Sequence, residues 1–106
     1  MTTTRNAAEH LLLAAESLCL RTGDIAFTSD EIAVEVWRLF PDRFSLRCDP
    51  RHCDSHRVST WMHGINGPAA RGWMRRIKRG DGFMRWAINE SGAEHLKTMR
   101  LEEATC

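Results

Sequence analysis

The sequence contains no run approaching the roughly 18 consecutive apolar residues that a membrane-spanning helix needs. Its opening, MTTTRNAAEH, lacks the cationic stretch followed by an apolar one that directs export, so a cytoplasmic location is expected. Internal repeats and low-complexity segments are missing, and 3 prolines and 7 glycines give no linker-like or collagen-like bias. A chain of 106 residues can bury one modest core but not two, so a single domain over residues 1–106 is expected. No glycine-rich phosphate loop and no nucleophile elbow occurs, and a Cys53–His56 thiol–imidazole pair would lack a third group. These gaps argue against an enzyme and call for no cofactor. The four cysteines, at 19, 48, 53 and 106, have no secretory context that would favour disulfides, and reduced thiols are expected.

Net charge is also nearly absent, at +1, but the total conceals a segregation. Met1 to Asp42 carries three basic and seven acidic residues, so −4; Arg43 to Glu90 carries ten and four, so +6; Ser91 to Cys106 carries two and three, so −1. A basic middle between acidic flanks is the kind of asymmetry that marks one face for phosphate.

Periodicity then assigns elements. Asn6 and Glu9 form an N-cap pair, Ala8, Leu11, Leu12, Ala15, Leu18 and Cys19 recur at helical spacing, and Gly23 ends the helix. Ile25-Ala26-Phe27 suits a short edge strand. Thr28-Ser29-Asp30-Glu31 is a second capping box, opening a helix whose buried stripe is Ile32, Ala33, Val36, Trp37 and Phe40 and which Pro41 ends. Asp42 to Cys53 loses periodicity and reads as an extended loop pinned by Phe44 and Leu46. A third helix starts at Asp54 or at Asp49-Pro50, both good signals, and runs to Ile65. It presents Val58, Trp61, Met62 and Ile65 on one face and His56, Ser59, Thr60 and His63 on the other. Trp73 to Arg79 and Phe83 to Ile88 flank Gly80-Asp81-Gly82 as a hairpin, with Trp73, Ile77, Trp86 and Ile88 covering the core. Arg75, Arg76, Lys78, Arg79 and Arg85 cluster around that turn. Asn89 caps a last helix with Ala93 and Leu96 facing inward.

Helix, short strand, helix, helix, two-stranded hairpin, helix is the order of the winged helix-turn-helix superfamily, which this chain resembles over roughly Asn6 to Leu101. Asp54 to Ile65 is similar to a recognition helix, Trp73 to Ile88 looks like the wing, and Trp86-Ala87-Ile88-Asn89-Glu90-Ser91-Gly92 resembles the strand-to-helix junction that closes many such domains. The connection from Pro41 to Cys53 is longer than an ordinary helix-turn-helix has. The resemblance implies an α+β winged helix: a three-helix core with a short edge strand, a two-stranded wing and a C-terminal helix. It also implies sequence-dependent binding of double-stranded DNA, as a small bacterial-type transcriptional regulator or a DNA-recognition subunit, with homodimerisation doubling the bases read. The residues expected to contact DNA are His56, Arg57, Ser59, Thr60 and His63 on the helix and Arg75, Arg76, Lys78, Arg79 and Arg85 on the wing.

The wing cations also suit an exposed strand edge protected from pairing, and the surface histidines need no ligand. Trp37, Trp61, Trp73 and Trp86 are explained by core packing. Cys48, His52, Cys53 and His56 are four zinc-type ligands within nine residues, but adjacent His52 and Cys53 do not match the spacing of common zinc modules, so no metal is expected. The alternative function is a protein–protein interaction module in a larger assembly, its basic wing docking an acidic partner.

Overall fold

Two capping boxes set the first two helices. In α1 (Ala7–Thr22) the Asn6 side chain accepts the Glu9 N–H at 2.8 Å while the Glu9 carboxylate accepts the Asn6 N–H, which satisfies two otherwise orphaned donors. Gly23 stops the helix at φ 77°, a left-handed conformation that an L side chain would strain. Thr28 and Glu31 repeat the device at the start of α2 (Ser29–Leu39). The computed structural model describes residues 6–44 and 51–104.

The buried stripe of α1, Ala7, Ala8, Leu11, Leu12, Ala14, Ala15 and Leu18, packs against Ile32, Ala33 and Val36 of α2. The alanines let the helices approach closely, and each fully buried leucine contributes about 1.5–3 kcal/mol. Pro41 ends α2 as expected, but it also opens a one-turn helix, α3 (Pro41–Phe44), where an extended loop was expected. Proline suits the first helical position because its missing N–H would have had no partner there. Phe44 is fully buried and anchors the turn, His10 stacks on Phe40 with ring centroids 4.0 Å apart, and the Phe44 carbonyl accepts the Asp54 N–H. Leu46, the other expected anchor, lies outside the described residues, as do Asp49 and Pro50.

Within the described residues the next helix, α4 (Ser55–His63), takes Asp54 as its cap, the carboxylate accepting the Arg57 N–H at 3.0 Å. It ends at His63, with Gly64 as its C-cap, two residues short of the expected Ile65. Ile65 is therefore 90 % exposed rather than part of the buried stripe, since the turn through Gly64 and Gly67 has already left the helical path.

Three antiparallel strands, β1 (Ala26–Phe27), β2 (Met74–Lys78) and β3 (Met84–Ile88), lie in the order β1-β3-β2. The register pairs Met74 with Ile88, Arg76 with Trp86 and Lys78 with Met84, so these six share one face, and Phe27 joins them opposite Trp86. Arg75, Ile77, Arg85 and Ala87 share the other. The expectation that Ile77 covers the core with Trp86 does not hold; Met74 does so instead, because the cross-strand register sets Arg76, not Ile77, opposite Trp86. Trp86 is fully buried and its indole N–H donates to the Ser29 hydroxyl at 3.3 Å, joining the sheet to the first turn of α2.

Asn89 ties β3 to α5 (Glu90–Ala104). Its side-chain oxygen accepts the Gly92 N–H, its amide donates to the Gly72 carbonyl and its own N–H donates to Trp73. Leu96 and Met99 of α5 are buried, but Ala93 is exposed, and it is Gly92 that faces inward: a Cβ there would overlap the Trp73 carbonyl. The whole is an α+β domain in which helices pack around one small antiparallel sheet. No helix among the described residues is long and apolar enough to cross a membrane.

Candidate functional site

On α4, Val58 and Met62 are buried while His56, Arg57, Thr60 and His63 are exposed and Ser59 is half-buried, so the polar face expected from helical spacing is on the outside. The Thr60 hydroxyl donates to the His56 carbonyl at 2.9 Å, leaving it an acceptor toward solvent. His63, in the last turn, is the point of contact with the hairpin. An Arg76 guanidinium nitrogen lies 3.2 Å from His63 Nδ1, and since arginine can only donate, Nδ1 is the acceptor and the proton sits on Nε2. Both groups pack on the same indole: Arg76 is 5.3 Å from the Trp86 ring centroid and His63 meets that ring edge-on at 5.2 Å. A buried tryptophan with a guanidinium stacked on its face is a stiff mount for a charge.

The five hairpin cations do not act as one group. Pleat alternation puts Arg76 and Lys78 on one face and Arg75 and Arg85 on the other. Two of the five are also spoken for. Arg85 bonds the Asp81 carboxylate at 2.8 Å, and Arg79 makes a two-pronged contact with Asp24, at 3.0 and 2.7 Å, in the loop after α1. The Arg79 hydrogen bond, with one from the Ala26 N–H, lowers the Asp24 pKa to about 2. Arg57, Arg75 and Lys78 are exposed and have no carboxylate partner among the described residues. The site residues that the structure brings together are therefore His63 and Arg76, with Lys78 two positions further along the same face.

Two participants escaped the sequence. Asp24 is 55 residues from Arg79, and nothing local in either segment signals the pairing. Trp86 was identified as core, which it is, but its role as platform for Arg76 and His63 depends on strand register and on where α4 ends. Of the zinc-type cluster, Cys48 lies outside the described residues; Cys53 is half-buried, His52 and His56 are exposed, and among the described residues no three His, Cys, Asp or Glu side chains converge as metal ligands.

Asp24→Asn tests the Arg79 clamp. The amide oxygen keeps the acceptor for the Ala26 N–H, at 3.0 Å in the native protein, while the charge that holds Arg79 is gone. If the hairpin meets duplex DNA, freeing Arg79 should tighten binding at low salt and steepen the log–log salt dependence by about 0.9, one extra phosphate contact; an unchanged slope in a salt titration would show that Arg79 never reaches phosphate.

A shallow cleft of about 520 Å³ lies elsewhere, lined by Trp73, Glu90, Ser91, Glu94, His95 and Thr98. His95 stacks on Trp73 and its Nε2 is 3.0 Å from a Glu9 carboxylate oxygen, so its ring links α5 to α1. No family model matches this chain, and neither a curated protein nor a solved structure matches it.

Proposed function

We propose that this domain binds double-stranded DNA as a winged helix-turn-helix module, with α2 and α4 as the helix pair, α4 reading base edges and the β2–β3 hairpin acting as the wing. Its use would be that of a small transcriptional regulator or the DNA-recognition part of a larger system. The observation that carries this reading is the His63–Arg76–Trp86 contact. It couples the exposed polar face of α4 to the cationic face of the hairpin, so a hydrogen-bonding ridge and a positive edge present themselves to one partner. Duplex DNA offers the complement of both, base edges in a groove flanked by phosphates. The strand order β1-β3-β2, with β3 central and β2 at the edge, and the helix order support the same reading. The connection between α2 and α4, which includes α3, is longer than such pairs usually have.

Arg57, Arg76 and Lys78 are the cations of α4's exposed face and the adjoining hairpin face. If each neutralises one phosphate, a mobility-shift titration of the protein on random duplex should show a log–log salt slope of about −2.7. Absence of binding at about 50 mM salt would remove this function and leave the interaction-module reading.

A further inference from the structure

The hairpin tip is not uniformly polar. Phe83 and Met84 follow directly on the Gly80-Asp81-Gly82 turn and are 66 % and 41 % exposed. The turn is tight: Gly80 and Gly82 both adopt positive φ, 80° and 83°. Asp81 accepts the Phe83 N–H at 3.1 Å and is gripped in turn by Arg85, so the backbone carrying the phenyl ring is pinned. Beside the ring is a hollow of about 390 Å³ lined by Lys78, Gly80, Gly82, Phe83 and Met84. A tip that served only to lay cations on phosphates would have no use for an aromatic ring held out in water.

Resting on the DNA-binding reading above, we propose that Phe83, backed by Met84, is an apolar wedge that enters the minor groove and unstacks one base step, bending the duplex. Proteins that bend DNA in this way insert Phe, Leu, Ile, Met or Pro between base pairs, and the energy of unstacking is recovered by contacts that the bent duplex allows. Lys78, paired across the strands with Met84, is placed to neutralise a phosphate flanking the opened step. The charge beside the ring is what selects the occupant, since an uncharged apolar partner would leave Lys78 unmatched. A sequence preference follows without any base contact by the wing: pyrimidine–purine steps such as TA unstack readily and A-tracts resist, so targets carry a pyrimidine–purine step under the wing.

The test uses the full chain and two duplexes that differ at one central step, TA or AA, each with 2-aminopurine beside that step and a fluorophore pair at its ends. Wild type should bind the TA duplex about 10-fold more tightly, raise the 2-aminopurine emission and shorten the end-to-end distance. Phe83→Ala should bind both duplexes alike without bending them, and with the wild-type salt slope, because no cation is removed. Its melting temperature should be unchanged, since the ring is mostly exposed; Phe83→Leu should keep most of the bend. Wild-type binding with silent 2-aminopurine, or bending retained in Phe83→Ala, overturns the wedge while DNA binding stands. No binding of either duplex at low salt overturns the DNA reading itself. Phe83-dependent adsorption to phosphatidylserine vesicles with no effect on the duplex would make the occupant a lipid surface and likewise overturn the proposal.

Discussion

Replacing Arg21 and Arg38 together by methionine is expected to destabilise the domain by about 3–5 kcal/mol at neutral pH. The target of this change is Glu35, whose side chain is fully buried between α1 and α2. Its carboxylate accepts hydrogen bonds from the Ser17 hydroxyl at 2.7 Å, Arg21 at 2.7 Å and Arg38 at 2.8 Å, so one charge bolts the two helices together. Burial pushes the Glu35 carboxyl up, but the hydrogen bonds from Ser17, Arg38 and Arg21 together outweigh it, and the group lies below the ordinary glutamate range. Both guanidinium groups are more than half exposed and lie over the carboxylate as a cover. Alanine at those positions would admit water; methionine keeps the cover and removes the charge, leaving a dry, unpaired anion.

The dependence on acid identifies the cause. In the native protein the depressed pKa contributes stability that is fully present above the unfolded value of about 4.3 and is lost as pH falls through the folded one. In the double variant burial acts with one hydroxyl left against it, the folded pKa is raised, and the penalty fades on acidification. Thermal melts should therefore differ by roughly 12–20 °C at pH 7, with the gap closing as pH approaches 4. A gap that stays constant with pH would mean that lost packing, not the stranded carboxylate, is responsible.

On the proposed DNA-binding function, Arg76→Gln with Lys78→Gln is expected to weaken random-duplex binding about 200-fold at 50 mM salt but only about 3-fold at 0.5 M, as the slope falls by about 1.8. The contrast follows from counterion release: each lost phosphate contact removes about 0.9 of the slope, and its effect shrinks as the bulk salt approaches the concentration condensed on DNA. Glutamine keeps much of the stem that covers Trp86 and its amide can still donate to His63, so the fold should survive, which circular dichroism checks. Lys97→Gln, which removes an exposed cation on α5 paired with Glu94 at 3.7 Å, should leave binding nearly unchanged. Equal losses at both salt concentrations, or an equal loss in Lys97→Gln, would contradict a phosphate-contacting wing.

Much of the scaffold was legible because its signals are local. Both capping boxes, the Gly23 stop, the Asn89 cap, the Gly80-Asp81-Gly82 turn and the exposed face of α4 each depend on residues within about a turn of one another, which is the range over which backbone preference acts. The errors lie where a boundary shifts by a residue or two. Ile65 left the core because α4 stopped at His63, Ile77 lies on the face away from Trp86 because the hairpin register pairs Arg76 with Trp86, and Ala93 yielded its place to Gly92, which alone fits under the Trp73 carbonyl. Capping and hydrophobic spacing do not resolve such shifts; packing does.

The cations show the same division. That residues 43 to 90 are basic, that the hairpin carries five positive charges and that α4 offers a polar face were all set by the order of amino acids, because composition and periodicity are properties of the chain itself. Which charges remain available was decided by tertiary structure: Arg79 is taken by Asp24 from a distant loop, Arg76 is mounted on Trp86 beside His63, and a glutamate in the middle of α2 becomes an anchor because Ser17 and Arg21 arrive from another helix. Electrostatic partnership acts over a few ångströms in space, whatever the separation in sequence, so it exists only once the elements have packed.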